Sequence, residues 1–104
     1  MGYENISPKE VLEIMASNKD AVILDVRREE EFEEGHIKGA IWLPGRNLMS
    51  DAEDMIPDYD QPIFVYCNTG IRSERAVVTL KAMGYTNLTN LGSIKDWPYE
   101  LVSE

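Results

Sequence analysis

Two short runs, AVILDV (21–26) and PIFVYC (62–67), are apolar almost throughout and show no alternation with polar residues. A strand with one face in water alternates with a period of two. Strands that do not alternate are buried on both faces, which is the habit of parallel sheets flanked by helices. The stretches around these runs supply such helices. SPKEVLEIMASN opens with a capping box, Ser7 to Glu10, and Pro8 suits the first helical turn. Val11, Leu12, Ile14 and Met15 follow at helical spacing. SERAVVTLKAMG reads as a helix stopped by Gly84. Between the strands, REEEFEEGHIKGA reads as a short acidic helix ending near Gly35, IWLP as a brief strand and NLMSDAEDMI as a helix. YTNLTNL fits a last strand and SIKDW a final helical turn. The alternation predicts an α/β fold: a mostly parallel central sheet with helices on both faces. At 104 residues the chain is one domain, 1–104, and its 43% hydrophobic content suffices for a core.

The charge narrows the partners. A net charge of −9 opposes binding to nucleic acid, which requires a basic surface to displace counterions. It opposes an anionic membrane for the same reason. One cysteine forms no internal disulfide, and MGYENISPKE carries no apolar leader, so a cytoplasmic domain is expected. No His/Cys cluster suits zinc, and the carboxylates of SDAEDMIPDYD lack the spacing of a calcium loop, so no metal or other cofactor is expected.

That one cysteine, Cys67, closes the strand PIFVYC and precedes a helix. In open α/β sheets, ligands bind outside the carboxyl ends of strands. The residues after it, Asn68, Thr69, Gly70, Ile71, Arg72 and Ser73, turn the chain into the helix. Gly70 permits a tight turn, and such turns aim N–H groups inward as an anion nest. The helix N-terminus and the Arg72 charge act in the same sense. Together they favour a thiolate, whose pKa in such places falls from about 8.5 to roughly 3.5–7.5. Two readings stand from these residues: a buried apolar filler finishing a core strand, and a nucleophile.

The sequence also resembles a family. CNTGIRS is similar to the active-site loop of single-domain rhodaneses, which are sulfurtransferases. ILDVRREEEFEEGHIKGAIWLP resembles their second hallmark, with Asp25, Arg27, Glu31, Phe32, Gly35, His36, Ile37, Gly39, Ala40 and Pro44 in step. LGSIKDW resembles their C-terminal segment, with Ser93 in place of a second glycine, and Trp42 stands where a small polar residue is common. The resemblance implies a rhodanese-like fold and no cofactor. It implies that Cys67 takes sulfane sulfur from a small anionic donor such as thiosulfate and, as a persulfide, passes it to cyanide, a thiol or a protein acceptor. Residues 68–73 would bind the substrate.

Two other functions share this outline. One is a phosphatase or arsenate reductase; rhodanese-like folds include cell-cycle phosphatases, which use a Cys-x5-Arg loop. Here the spacing is Cys-x4-Arg, which suits one sulfur atom better than a tetrahedral phosphate, and Tyr66 stands where those phosphatases carry histidine. A non-enzymatic module that docks to a partner or carries sulfur is the third reading. Elsewhere, plain roles are expected: His36 fixing a turn, Asp25 accepting N–H bonds or pairing with an arginine, REEEFEEG as a solvated helix face, and Arg75 on the surface.

Overall fold

The computed structural model describes residues 6–103. The first half of the MGYENISPKE stretch, read above as free of a leader, lies outside the described residues. The elements run α1 (Pro8–Ser17), β1 (Val22–Asp25), α2 (Glu29–Glu34), β2 (His36–Ile37), β3 (Ile41–Trp42), α3 (Leu48–Met55), β4 (Ile63–Cys67), α4 (Ile71–Met83), β5 (Leu88–Ser93) and β6 (Leu101–Val102). Single 3-10 turns cover Gly45–Asn47 and Ile94–Asp96.

The main sheet has the order β3-β1-β4-β5, and all its pairings are parallel. Successive residues of the central strands face opposite cores. Leu24, Ile63, Val65 and Cys67 pack against Leu48 and Ala52 of α3 and Ala76 and Leu80 of α4. Ile23, Phe64 and Tyr66 pack with Val11 of α1, Ile37 and Ile94. This two-sided burial is what the unalternating runs predicted. Each large apolar side chain so buried contributes roughly 1.5–3 kcal/mol.

Helix α1 carries the predicted capping box: the Glu10 amide donates to Ser7 Oγ at 3.1 Å, and the Ser7 amide donates to Glu10 at 2.9 Å. Gly84 ends α4 in a left-handed conformation, φ +113°. Helix α4 starts at Ile71, earlier than the SERAVV run suggested, so Ile71 and Arg72 belong to its first turn. Within GHIKGA, read as a turn, Lys38 and Gly39 do turn, the Ala40 amide donating to the Ile37 carbonyl at 2.9 Å, while His36–Ile37 forms β2, which pairs antiparallel with the unforeseen β6. Neither β2 nor β6 stands in an apolar run such as the one that marked β3 in IWLP. No helix among the described residues is long and apolar enough to cross a membrane.

Candidate active site

The parallel strands all point their carboxyl ends to one edge, and the loop 68–70 sits there between β4 and α4. Its shape depends on glycine. Gly70 has φ +91°, and a Cβ at this position would lie 3.3 Å from the Gly92 Cα of β5. The loop therefore lies directly on the neighbouring strand, and a side chain at 70 would both strain the backbone and push it away.

Within that turn the Cys67 side chain is fully buried. Its Sγ accepts from the Gly70 amide at 2.9 Å and the Ser73 amide at 3.4 Å, and Ser73 Oγ lies 3.5 Å away. The expected nest of amides is thus present. Burial pushes the thiol up, but its hydrogen bond with the Ser73 side chain and those from the amides of Ser73, Thr69 and Gly70 outweigh it. The net pKa lies below the ordinary thiol value. The Arg72 guanidinium does not bond the sulfur; it is bound to a carboxylate.

That partner is Glu31 of α2. Arg72 Nη1 and Nη2 donate to its two carboxylate oxygens at 3.1 and 3.3 Å. The bond from Arg72 holds the Glu31 carboxyl below the usual range, against the opposing effect of burial. Glu31 was read as part of a solvated face. It is instead 15% exposed and turned toward the loop. Its second oxygen also accepts from Asn68 Nδ2. Helical spacing separates Glu31 from its neighbouring glutamates, and α2 is one face in water and one against the loop.

Asn68 joins this pair to a second. Arg27 Nη1 donates to Asn68 Oδ1 at 3.2 Å. The rest of the Arg27 guanidinium binds Asp25, with Nη2 to Oδ2 at 2.7 Å and Nε to both oxygens at 3.0 Å, and Nη2 also donates to the Gly35 carbonyl at 2.7 Å. The Tyr66 hydroxyl donates to Asp25 Oδ2 at 2.7 Å, and the Ile37 amide donates to Tyr66 at 3.1 Å. Burial, then the bond to Asp25, pushes the Tyr66 phenol far above its ordinary value, so it remains a donor. Asp25 thus pairs with an arginine, as expected. A continuous hydrogen-bonded line runs from Asp25 through Arg27, Asn68 and Glu31 to Arg72.

Of the residues singled out in sequence, Cys67, Gly70 and Ser73 meet at the sulfur. Asn68 holds the line just described, and Ile71 and Thr69 lie outward, Ile71 being 58% exposed. Sequence reasoning missed Asn90, whose Oδ1 accepts from Ser73 Oγ at 2.7 Å and from the Gly92 amide at 2.8 Å. Its only signal is an Asn two residues before a Gly, common to many turns. The two departures from the family pattern also find roles. Ser93 Oγ donates to the Asn68 carbonyl and accepts from the Lys95 amide at 3.1 Å, so it ties the loop to the next turn. Trp42 Nε1 donates to the Arg27 carbonyl at 2.8 Å. His36 Nδ1 lies 2.8 Å from the Phe32 carbonyl and its ring stacks on Phe32 at 3.7 Å, the structural role expected of it.

Comparison with known proteins agrees with this geometry. The chain is 37% identical over 73 residues to the thiosulfate sulfurtransferase PspE of Escherichia coli strain K12, covering 70% of each. It is 34% identical over 98 residues to the thiosulfate sulfurtransferase GlpE of Coxiella burnetii strain RSA 331, covering 93% of this chain and 89% of that one. A solved rhodanese with anions from E. coli superposes with a TM-score of 0.77 at 33% identity, over 81% of this chain and 99% of that one. The rhodanese-like domain pattern matches residues 7–99, and with the thiol loop and the parallel sheet in place, this chain belongs to that family.

Proposed function

We propose that the chain is a thiosulfate-type sulfurtransferase in which Cys67 carries the sulfur. The observation that carries this reading is the thiol held by the Gly70 and Ser73 amides. The Cys67 thiolate attacks the sulfane sulfur of thiosulfate, forming a new S–S bond. The S–S bond of thiosulfate breaks and its electron pair leaves with sulfite, so Cys67 becomes a persulfide anion. Cyanide or a thiolate then attacks the outer sulfur, and the electron pair returns to Cys67. Neither step moves a proton to the reacting sulfur, which is why amide donors suffice. Residues 68–73 form the substrate-binding loop, and Arg72 swings from Glu31 to meet the incoming dianion. The small size of the loop favours one sulfur atom over a phosphate, which needs a wider ring of amides.

Intact mass spectrometry after incubation with thiosulfate tests this. The wild type should gain the mass of one sulfur atom and the Cys67→Ser variant none. An unmodified wild-type mass at alkaline pH would remove the reading, and turnover of an aryl phosphate that depends on Cys67 would replace it with the phosphatase.

A further inference from the structure

The chain has five arginines, Arg27, Arg28, Arg46, Arg72 and Arg75, and all five line one cleft of about 390 Å³. Among the described residues no carboxylate lines it. In a chain of net charge −9, this is a sharp local reversal of sign. The arginines come from the β1–α2 connection, the turn Gly45–Asn47 and the first two turns of α4. Arg27 and Arg72 are engaged by Asp25 and Glu31, and Arg28 Nε lies 3.8 Å from Glu31. Arg46 and Arg75 are exposed and have no ion-pair partner among the described residues.

A five-atom dianion does not need this space, nor arginines on the turn Gly45–Asn47, which is not part of the Cys67 loop. The floor of the cleft is apolar, formed by the buried Val26, Leu48 and Ala76. Past Arg75 and Thr79 the cleft continues as a shallow groove along α4. There Ile71 and Val78 are 58% and 64% exposed, with Glu74 the one carboxylate on the strip. Ile71, Arg75 and Val78 lie at i, i+4 and i+7, on one stripe of the helix. Exposed apolar side chains interleaved with arginine are the composition of a protein interface core, whereas a small-anion site has no use for Ile71 and Val78.

We propose that the arginine cleft and the adjoining α4 stripe dock an acidic segment of a partner protein. Its carboxylates sit on Arg28, Arg46 and Arg75, and an apolar residue lies on Val78. The partner's delivery point is then the Cys67 loop, which the cleft adjoins through Arg72 and through Arg27 on Asn68. Naming that partner a protein sulfur donor or acceptor rests on the sulfurtransferase reading, and the docking itself does not.

The probe is a short fluorescent peptide in which glutamates flank two leucines, with a lysine-for-glutamate peptide as control and fluorescence anisotropy as readout. The wild type should bind the acidic peptide and not the basic one, more weakly as salt rises. Arg46→Ser/Arg75→Ser should weaken binding about 5- to 30-fold, and Val78→Ser about fivefold, since two rim charges and one apolar contact are removed. The same variants should keep wild-type thiosulfate-to-cyanide turnover, because none of these side chains belongs to the loop. Equal binding of the two peptides, or acidic-peptide binding untouched by Arg46→Ser/Arg75→Ser, would overturn the proposal. So would binding indifferent to Val78→Ser and fully displaced by millimolar sulfate, which marks a small-anion site, or an Arg46- and Arg75-dependent dimer seen by light scattering in place of peptide binding. Peptide binding that persists in a protein that takes no sulfur from thiosulfate would support the docking surface and sink the sulfurtransferase reading alone.

Discussion

Asp25–Arg27 and Glu31–Arg72 are two arginine–carboxylate pairs of the same chemistry in unlike surroundings, joined through the side chain of Asn68. The first is buried, its side chains 0% and 5% exposed, and is further bonded by the Tyr66 hydroxyl and the Arg27 amide at 2.9 Å. The second is 15% and 39% exposed; on the glutamate side Asn68 and the Arg28 amide, at 2.8 Å, also donate to the carboxylate. Burial decides what each can do. Removing one partner of a buried pair strands a charge in low dielectric, so such a pair acts as a strut. An exposed pair contributes about 0–1 kcal/mol and can open without loss of the fold. The strut holds Asn68 through the Arg27 guanidinium, and the exposed pair ties Arg72, in the first turn of α4, to α2.

The largest effect comes from breaking the strut. Arg27→Met leaves the Asp25 carboxylate buried without its cation and should cost about 3–5 kcal/mol in urea unfolding. Adding Asp25→Asn should return much of that loss, because the stranded charge is gone. A cost below about 1 kcal/mol for Arg27→Met would make the two pairs equivalent and end the comparison.

Arg72→Ala should divide the other way. Unfolding free energy should change by less than about 1 kcal/mol. The kcat/KM for thiosulfate should fall about 10- to 150-fold, the value of one charge-assisted hydrogen bond of roughly 1.5–3 kcal/mol. Arg72→Lys should recover part of it, since lysine keeps the charge and loses the planar fork. Unchanged kcat/KM in a folded Arg72→Ala protein would take Arg72 out of the site.

Glu31→Gln sharpens the contrast further. Glutamine can still accept from Asn68, but no longer competes as an anion for Arg72. The KM for thiosulfate should fall about two- to fivefold with stability nearly unchanged. A raised KM would show that Glu31 positions Arg72 rather than restraining it.

The smallest effect is the thiol's own titration. With its pKa below the ordinary value, alkylation by iodoacetamide should reach half its maximal rate below the free-thiol range, and Ser73→Ala should move that midpoint upward. The sign for stability follows: the folded thiol releases its proton more readily than the unfolded one. Its contribution is therefore fully present above the unfolded pKa and is lost as pH falls through the folded pKa. A wild-type midpoint at or above the free-thiol value would mean that burial outweighs the amides.

Much of the fold was legible because its signals are local. Unalternating apolar runs gave β1 and β4 their two-sided burial, Ser7 and Glu10 marked the start of α1, and Gly84 marked the end of α4. The thiol loop was legible too, since Cys67, Gly70 and Ser73 lie within one turn of chain and meet through its own amides. Strands β2 and β6 were not, because no apolar run marks them as IWLP marks β3, and their pairing joins distant parts of the chain. The destination of Arg72 was also hidden: Glu31 stands 41 positions before it, among glutamates that composition cannot tell apart. Only the placement of β1 next to β4 brings α2 beside the loop, so that one glutamate of the run turns inward. The gathering of all five arginines has the same cause. Their segments end at the same edge of the sheet, and strand order, which no local pattern encodes, sets which side chains share a cleft. Sequence by itself determined the layers, the caps and the thiol turn, whose forces act over a few residues. Tertiary structure decided the ion pairs and the cleft, because the strength of a charge depends on which distant groups are packed around it.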